Sequence, residues 1–469
     1  MTTRYERLAA DLIRQIEGGV YRPGDRLPGV RKLAAQQGVS VSTAVEAFRW
    51  LEDRGRIEAR PRSGFYVRAP QWQPPAAALT EPPAMPTPVS GHALVMRLVR
   101  ATMQPGLIQL GAAVPDAEFL PVKAVQRAFA SASRRYGARA ARYDFPPGAP
   151  ELRREIARRL ADAGCRVTPD EIVITSGCLE AMSLGLRAVA RPGDVIAIES
   201  PTFYGLLQVI ESLGMKALEI PTHPVDGISL EALRLAIEQW PVAACALTIN
   251  HSNPFGNRLT DAKKQALVEM LAARRIPLIE DDIYGELGFD QMRPPAAKAW
   301  DRDGGVIHCG SVSKTIAPGL RIGWAVPGRW QEQVEFLKYD TNLATATLPQ
   351  LAVAEFLAVG GYDRHLRRVR DEYARLIERT LHAVTDHFPA GTRVTRPSGG
   401  FVLWVELPEG GDAMELHRQA LGHGITIAPG PIFSATQRYR NCLRLTCAQP
   451  WSERMEQALR TLGRLAAGM

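Results

Sequence analysis

Hydrophobic positions near the N-terminus repeat at helical spacing in three successive segments, and turn signals separate them. Gly18-Gly19 ends the first segment, and residues 38–40 separate the second from the third. We expect Ser42 to cap the third helix. The positions that carry the pattern are Leu8, Leu12, Ile13 and Ile16, then Val30, Leu33 and Ala34, then Ala44, Val45, Phe48 and Leu51.

A different pattern follows these segments. The sequence IEARPRSGFYV, residues 57–67, predicts two short strands on either side of a Pro-Arg-Ser-Gly turn. Three helices followed by a hairpin are typical of a winged helix-turn-helix. We therefore predict a winged helix-turn-helix domain over residues 1–68.

The next segment has no helical or strand period. Residues 69–91 contain seven prolines in 23 residues, which predicts an extended, semi-rigid linker. At ~3.1 Å per residue, such a segment could span up to roughly 70 Å. The linker would separate the small front domain from a large domain over residues 92–469.

In the large domain, short and nearly continuous apolar strands alternate with amphipathic helices. This pattern predicts an α/β fold with a mostly parallel sheet covered on both faces. In such folds, functional residues gather at the carboxyl ends of the strands. The predicted strands lie within residues 171–177, 194–200, 244–250, 277–282 and 305–312, and clear helices lie within 151–164 and 261–275.

Composition supports a protein of two or three domains without a membrane span. The chain has 469 residues, contains no apolar run long enough to cross a bilayer, and begins with a charged segment unlike a secretory signal. We therefore expect a cytoplasmic location. Residues 1–70 carry +5 of the net charge of +8, which favours a front domain that faces an anionic polymer; the alternative, which charge alone does not exclude, is an ordinary solvated surface.

The six cysteines form no Cys-x-x-Cys pair and have no histidine at metal-ligand spacing. We interpret them as buried free thiols in a reducing compartment, and we expect no metal site. They are Cys165, Cys178, Cys245, Cys309, Cys442 and Cys447.

The segment SVSKTIAPGLRIGW, residues 311–324, brings an amine, hydroxyls and a guanidinium together. A lysine such as Lys314 can form a Schiff base with an aldehyde cofactor such as pyridoxal phosphate. That cofactor also needs donors for its phosphate, an anion beside its pyridine nitrogen and a hydrogen bond to its phenolic oxygen. Taken alone, Lys314 would more often be a solvated surface group.

Candidates for the phosphate donors occur in two segments. Ser176, Gly177 and Cys178 follow a predicted strand and begin a predicted helix, where backbone N–H groups favour an anion. Residues 311–324 add the hydroxyls of Ser311 and Ser313 and the guanidinium of Arg321.

Candidates for the other requirements follow neighbouring strands. Asp281 could pair with the pyridine nitrogen and hold it protonated, so that the cofactor withdraws electrons. Asn253 and Tyr284 could reach the phenolic oxygen. Either Phe203 or Tyr204 could stack on the ring. Each element is weak alone, and their order and spacing together favour a cofactor site.

These motifs resemble those of fold-type I, class I/II aminotransferases over residues 92–469, and the front domain resembles a GntR-type winged helix. The combination is similar to the MocR-type regulators. The resemblance implies that Lys314 is the Schiff-base lysine, Arg321 the phosphate arginine, Asp281 the partner of the pyridine nitrogen and Phe203 the stacking aromatic, with Asn253 and Tyr284 at the phenolic oxygen.

Two further roles come from this resemblance. In YDFPPGAPELR, Tyr143 matches a tyrosine that reaches the phosphate of the neighbouring subunit, so a homodimer is expected. In NCLRLTCA, Arg444 matches the arginine that binds a substrate α-carboxylate, a role that suits a planar guanidinium. The alternative for Arg444 is a structural ion pair.

The front domain departs from the GntR pattern in two places. Gly29 stands where serine is usual, which removes a possible helix cap, and Val41 stands where a basic residue is common. The candidate DNA-binding residues are Arg26 and Arg31 for phosphates, Ser42, Thr43 and Arg49 on the recognition helix, and Arg60, Arg62 and Gly64 in the wing.

Three functions remain open from the sequence. The first is a DNA-binding transcription regulator whose aminotransferase-like domain senses pyridoxal phosphate, an amino compound, or both. The second is a working aminotransferase that carries a DNA-binding module. In the third, the winged helix binds a protein, which its basic charge disfavours.

Overall fold

The computed structural model describes residues 3–22, 24–60, 63–68, 75–102, 104, 106–290 and 292–469. The front domain has the predicted winged-helix elements, with a hydrophobic core that includes Leu12, Phe48 and Leu51. Its strands pair in antiparallel register, with Ile57 opposite Val67. The elements are α1 (Arg4–Glu17), α2 (Val30–Gln37), α3 (Val41–Asp53), β1 (Ile57–Arg60) and β2 (Gly64–Val67).

The cap predicted for the third helix was assigned to the wrong serine. Ser40 is the N-cap of α3, and its Oγ accepts a hydrogen bond from the backbone N–H of Thr43 at 3.1 Å. Ser42 lies inside the first turn, where its Oγ is 2.8 Å from that of Ser40. Gly29 begins α2 without a side-chain cap, as its departure from the serine pattern predicted.

The large domain begins with elements that alternate between strand and helix. They are β3 (Thr87–Pro88), α4 (His92–Thr102), β4 (Ile108–Gln109), α5 (Val122–Ala140), α6 (Pro150–Asp162), β5 (Val173–Thr175), α7 (Cys178–Val189), β6 (Val195–Ser200), α8 (Tyr204–Ser212), β7 (Lys216–His223), β8 (Gly227–Ile228), α9 (Leu230–Gln239), β9 (Val242–Leu247), α10 (Asp261–Ala273), β10 (Leu278–Asp281), β11 (Val306–Ser311) and β12 (Gly323–Val326).

Apart from β4, which lies in a separate two-stranded sheet, these strands form one sheet in the order β3-β7-β6-β9-β10-β11-β12-β5, with β8 paired to β7. The central pairs, from β7 to β11, are parallel, whereas β12 runs antiparallel to both β11 and β5. Strands β5, β6, β9, β10 and β11 therefore point the same way, so their carboxyl ends lie along one edge. Apolar clusters cover both faces of the sheet, as near-continuous apolar strands predict.

Most of the remaining elements form a smaller subdomain around an antiparallel sheet, whereas the helix Gln331–Asn342 packs on α7 and the helix Thr347–Ala358 packs on α5 and α6. The strand order of this antiparallel sheet is β13-β14-β17-β16, and the long helix α13 packs beside the C-terminal helix α15. The elements are α11 (Gln331–Asn342), α12 (Thr347–Ala358), α13 (Gly361–His387), β13 (Arg393–Val394), β14 (Val402–Glu406), α14 (Ala413–Gly422), β15 (Ile425–Thr426), β16 (Ala428–Pro429), β17 (Cys442–Thr446) and α15 (Glu453–Ala467).

Short 3₁₀ helices connect several of these elements. They are Ala117–Phe119, Pro169–Glu171, Gly285–Leu287, Ala297–Trp300, Pro318–Leu320, Gly328–Trp330 and Gly430–Phe433. All six cysteines are buried and free, as predicted. Within the described residues, the helices are all too short or too polar to cross a membrane.

The predicted linker has a described part that lies on the large domain. Residues 69–74 fall outside the described residues. From Pro75 onward the backbone contacts the large domain: Val394 N–H donates to the Pro75 carbonyl at 3.1 Å, and Thr80 Oγ1 donates to the Ser200 carbonyl at 2.7 Å. Thr87–Pro88 then adds a strand at the edge of the large sheet.

Candidate functional site

A cavity of about 220 Å³ lies where the carboxyl ends of the parallel strands meet. Lys314 enters it from the loop after β11, Asp281 from the end of β10 and Asn253 from the loop after β9. Other predicted site residues lining it are Cys178, Phe203, Tyr284, Ser313 and Arg321. The sequence placed these side chains after separate strands, and the parallel sheet brings them together.

The amine of Lys314 lies inside this cavity. Its Nζ donates a hydrogen bond to the backbone carbonyl of Ala113 at 2.7 Å. Burial lowers the pKa of Lys314 to about 8, and the nearby Arg444 guanidinium acts in the same direction, whereas Asp281 raises it. The neutral fraction of this amine near physiological pH is therefore far larger than that of an ordinary lysine, and the neutral form is the one that a nucleophile requires.

Asp281 is buried opposite the lysine. Its Oδ1 accepts hydrogen bonds from the Cys178 thiol and the backbone N–H of Ile283, each at 3.1 Å. Burial raises the pKa of Asp281 to about 6, although these hydrogen bonds and Lys314 oppose the shift. An anion placed here can pair with a cationic ring nitrogen that enters the cavity.

Gly177 and Arg321 lie together at the N-terminus of α7. Gly177 is the N-cap with a φ of 102°, and a Cβ atom there would lie 2.5 Å from an Arg321 guanidinium nitrogen. Arg321 Nη2 donates to the Ser176 carbonyl at 2.6 Å. A helix N-terminus beside an exposed guanidinium fits a phosphate dianion, because both present donors and positive charge.

The serines beside this cradle are hydrogen-bonded to each other or to the backbone. Ser311 Oγ donates to the Ile322 carbonyl at 2.9 Å and lies 2.7 Å from Ser313 Oγ. The backbone N–H of Ser176 donates to Glu180 Oε2 at 2.6 Å, so this amide points toward a carboxylate. Ser313 lines the cavity directly.

Asn253, Tyr284 and Arg444 form one hydrogen-bonded group. Arg444 Nη1 donates to Asn253 Oδ1 at 3.1 Å, and Asn253 also hydrogen-bonds the Tyr284 hydroxyl. The second guanidinium nitrogen donates to the Gly111 carbonyl, and the Arg444 side chain lies over the Phe433 ring. Burial raises the pKa of Tyr284, which keeps its hydroxyl a donor.

Arg444 is fully buried, yet no carboxylate among the described residues forms an ion pair with it. Its Nε also has no hydrogen-bond partner in the described part of the chain. Burial lowers the pKa of Arg444. A buried guanidinium with only neutral acceptors is costly, so this position favours an anion supplied by a ligand. The alternative of a structural ion pair is not observed for the described residues.

The aromatic candidates occupy two places. Phe203 lines the cavity with Tyr204, their ring centroids 4.9 Å apart, and Tyr204 contacts Phe433 edge-on. Tyr143 instead lies on the surface with 69% of its side chain exposed, stacked on Phe145. Within one chain, Tyr143 therefore does not line the cavity that contains Lys314.

Most candidate DNA-binding residues lie on the exposed surface of the front domain. Arg26 lies over Gly64 in the wing, and Arg60 lies over the Tyr66 ring and pairs with Glu58. Arg31 and Ser42 are exposed, Thr43 is half-buried at the start of α3, and Arg49 pairs with Glu46. Arg62 lies outside the described residues.

Several contacts at the site were not predicted from the sequence. These are the Cys178 thiol on Asp281, the Ala113 carbonyl on Lys314 and the Glu180 carboxylate on Ser176. Glu180 also pairs with the buried Lys338 at 2.8 Å. The spacing of Cys178 and Glu180 around the start of α7 was the only signal available, because their partners lie on distant segments.

Family profiles match both parts of the chain. The profile described as aminotransferase class I and II matches residues 105–462. The profile of the gntR family of bacterial regulatory proteins matches residues 4–67.

Whole-length relatives and a solved structure agree with these profiles. The HTH-type transcriptional regulators YjiR and YdcR of Escherichia coli are 41% and 42% identical over 98% of this chain and 98% of their own lengths. The structure of LysN, an α-aminoadipate aminotransferase from Thermus thermophilus complexed with N-(5'-phosphopyridoxyl)-L-leucine, is 30% identical. It superposes with a TM-score of 0.73 over 80% of this chain and 94% of LysN.

Proposed function

We propose that this chain, which belongs to the HTH-type transcriptional regulators, is a DNA-binding regulator whose large domain binds pyridoxal phosphate and senses an amino compound. Its family joins a GntR-family domain to a class I and II aminotransferase domain, which is the arrangement of the MocR-type regulators. One observation carries the proposal. Lys314, Asp281 and Arg321 line one cavity in a chain that also carries a winged helix.

The donor set of the cavity fits pyridoxal phosphate. The bare backbone of Gly177, the N-terminus of α7 and Arg321 suit the phosphate, with Ser176, Cys178, Ser311 and Ser313 around them. When bound, pyridoxal phosphate supplies an aldehyde that amines can exchange on and a ring that withdraws electrons. The residues that would hold the ring are Asp281 at its nitrogen, Phe203 on its face, and Asn253 with Tyr284 at its phenolic oxygen.

Lys314 has two roles in this proposal. Its neutral amine would hold the cofactor through the aldehyde carbon, with loss of water, and once an incoming amine had displaced it, the same Nζ would accept and return a proton. The low pKa of Lys314, about 8, supports both roles, because the amine must lose its proton first. The Ala113 carbonyl orients the nitrogen within the cavity.

Arg444 is the proposed site for the effector's α-carboxylate. Its guanidinium is buried, contacts only neutral acceptors and stands beside Asn253, which would also touch the cofactor. An amino-acid carboxylate would complete a charge-assisted pair there. The effector is accordingly an α-amino acid or a related amino compound.

The winged helix is the proposed DNA-binding part. Arg26, Arg31 and Arg60 contact phosphates, which position the domain, while Thr43 and Arg49 on α3 reach base edges. Ser42, Gly64 and Arg62 complete the proposed contact set. The proposed domains are residues 1–68, a linker over 69–91, and residues 92–469. DNA binding would place the protein in the cytoplasm with the chromosome.

A homodimer is part of the proposal. The surface around Tyr143 carries exposed aromatic side chains: Phe145 stacks on Tyr143 at a centroid distance of 5.5 Å and lies tilted against Tyr339 at 6.0 Å. Phe336 adds a further ring that is 67% exposed. Exposed apolar patches of this kind mark protein interfaces. Sedimentation should show a dimer, and a monomer that binds the cofactor fully would refute this part.

The second candidate is an active aminotransferase with a DNA-binding module. The observation that favours it is the complete set of Lys314, Asp281 and Arg444 around one cavity, together with the likeness to LysN, an α-aminoadipate aminotransferase. Catalytic turnover distinguishes the two candidates. Release of a 2-oxo acid over many cycles supports the enzyme, whereas a single spectral change without turnover supports the sensor.

The proposed function is tested with the purified full chain and pyridoxal phosphate. Borohydride reduction followed by peptide mass analysis should find the cofactor on Lys314, and Lys314→Ala should lose this adduct. Arg438→Ala, an exposed substitution, is the matched control. DNA flanking the protein's own gene, tested by footprinting, is the first target for the winged helix. A cofactor adduct on another lysine, or no protected DNA at low salt, would contradict the proposal.

A further inference from the structure

The winged helix of this chain packs against the C-terminal half of α13. The ring of His382 on α13 lies against Gly55, where a Cβ atom would come within 2.3 Å of the His382 Cε1 atom. Gly55 has a φ of 62°, in the left-handed region, at the turn after α3. Arg68, which follows β2, forms an ion pair with Asp386 at 3.6 Å. The contact thus involves both ends of the hairpin region.

Charge complementarity extends this contact. Burial lowers the pKa of Arg54, and among the charges that oppose the shift the largest is the Glu378 carboxylate on α13. The Arg54 guanidinium also lies 3.6 Å above the Trp50 ring. A small cleft between the two parts is lined by Asp53 and Arg54 from the winged helix and by Arg375 and Glu378 from α13. Cations of the front domain therefore face acidic residues of the helix.

The opposite end of α13 contacts the residue next to the site lysine. The Tyr362 hydroxyl donates to Thr315 Oγ1 at 2.8 Å, and His365 Nε2 donates to the Thr315 carbonyl at 2.7 Å. Burial lowers the pKa of His365, so the ring is neutral and Nε2 carries its proton. Thr315 follows Lys314 directly, so a shift of the lysine loop changes both hydrogen bonds.

Between these ends, α13 is one uninterrupted helix from Gly361 to His387. Leu366, Val369, Leu376 and Val384 are buried along its inner face. His365 and His382 are 17 residues apart, which corresponds to ~26 Å along the axis. A packed helix of this length moves as a body, so a displacement at one end appears at the other.

We infer that residues 378–386 of α13 form the docking surface for the winged helix of the same chain, and that α13 couples the Lys314 loop to this surface. The docking part stands on the contacts alone. The coupling part rests on the proposed function, since it requires a cofactor at Lys314. Occupancy of the cavity would change how firmly the winged helix is held, and so its presentation to DNA.

Cross-linking tests the docking surface. The six native cysteines are buried, so Arg68→Cys with Asp386→Cys should react selectively with a short bis-maleimide. The expected product is a within-chain cross-link. Arg68→Cys with Asp371→Cys is the matched control, because Asp371 is exposed on the same helix and ~22 Å from Asp386 along its axis. Equal yields from both pairs, or a covalent dimer as the sole product, would overturn the within-chain surface.

The coupling is tested with the same Arg68→Cys and Asp386→Cys protein. Adding pyridoxal phosphate should change the cross-linking rate at least twofold, and Tyr362→Phe, which removes the hydroxyl bonded to Thr315, should abolish the change. Tyr373→Phe, buried on the same helix, should preserve it. An unchanged rate in protein whose absorbance shows bound cofactor overturns the coupling. Absence of the cofactor band overturns the proposed function and the coupling together, while the docking result remains valid.

Discussion

A Cβ atom at Gly177 would lie 2.5 Å from a guanidinium nitrogen of Arg321, so the bare backbone of one residue makes room for the side chain of the other. Arg321 is itself in the left-handed region, with a φ of 52°, and its guanidinium reaches back to the Ser176 carbonyl. The two residues are separated widely in sequence but together define the proposed phosphate cradle.

Gly177→Ala should weaken cofactor binding more than it weakens the fold. The methyl group displaces Arg321 and so disturbs a charge-assisted contact, for which a loss of about tenfold to a hundredfold in affinity is expected. Gly193→Ala is the matched control, since Gly193 has a similar φ of 92° with open space around it. Both variants should lose about 1 kcal/mol of stability. Equal cofactor affinity in the two variants, measured by spectral titration, would contradict the cradle.

Covalent capture of pyridoxal phosphate should accelerate as pH rises through about 8. The lowered pKa of Lys314, about 8, means that its reactive neutral form is half-populated at that pH, so the rate should have its midpoint there and level off only at higher pH. Stopped-flow absorbance on cofactor-free protein measures the rate. Asp281→Asn should move the midpoint lower, because the Asp281 carboxylate raises the pKa of Lys314. A midpoint near the ordinary lysine value of about 10.4 would refute the assigned environment.

Arg444→Ala should weaken the response to α-amino acids by about 2–5 kcal/mol, because a buried charge-assisted pair is lost. The response to amines without a carboxylate should stay nearly unchanged, and this comparison separates carboxylate recognition from general damage. Spectral titration with matched amino acids and their decarboxylated amines gives both values. An equal loss for both ligand classes would identify Arg444 as a structural residue.

Removing a phosphate contact in the winged helix should weaken binding to every DNA sequence alike. Arg31→Ala and Arg60→Ala should each lower the slope of log affinity against log salt by about one. Arg14→Ala, exposed on α1 outside the proposed contact set, is the control. Thr43→Ala should instead change the preferred sequence. If both arginine variants had the same salt slope as the parent protein, neither Arg31 nor Arg60 would contact a DNA phosphate.

The sequence predicted which side chains would line one cavity, because those side chains follow the ends of strands. Asn253, Asp281 and Lys314 each follow a buried strand, and parallel strands bring their carboxyl ends to one edge whatever the loops do. The cap of α3 was misassigned because Ser40 and Ser42 have equal intrinsic suitability, and the chain direction before the helix decides between them.

Contacts between segments that are distant in sequence could not be predicted from the sequence. The thiol of Cys178 reaches Asp281 only because α7 and β10 pack together, and no local pattern encodes that distance. The proline-rich segment presented a similar difficulty. Its composition is the same whether the backbone is free or lies against a sheet edge, so the hydrogen bond from Thr80 to Ser200 could not be anticipated.

The attachment of residues 75–91 to the large domain limits the choice of operator. With Pro75 fixed near Val394, seven peptide units join Arg68 to the fixed segment, and such a chain extends no more than about 25 Å. In the proposed dimer, the two recognition helices can therefore meet DNA only at a restricted range of separations. Inserting residues between 68 and 75 would select operators with more widely spaced half-sites, so binding-site architecture and tether length would have to evolve together.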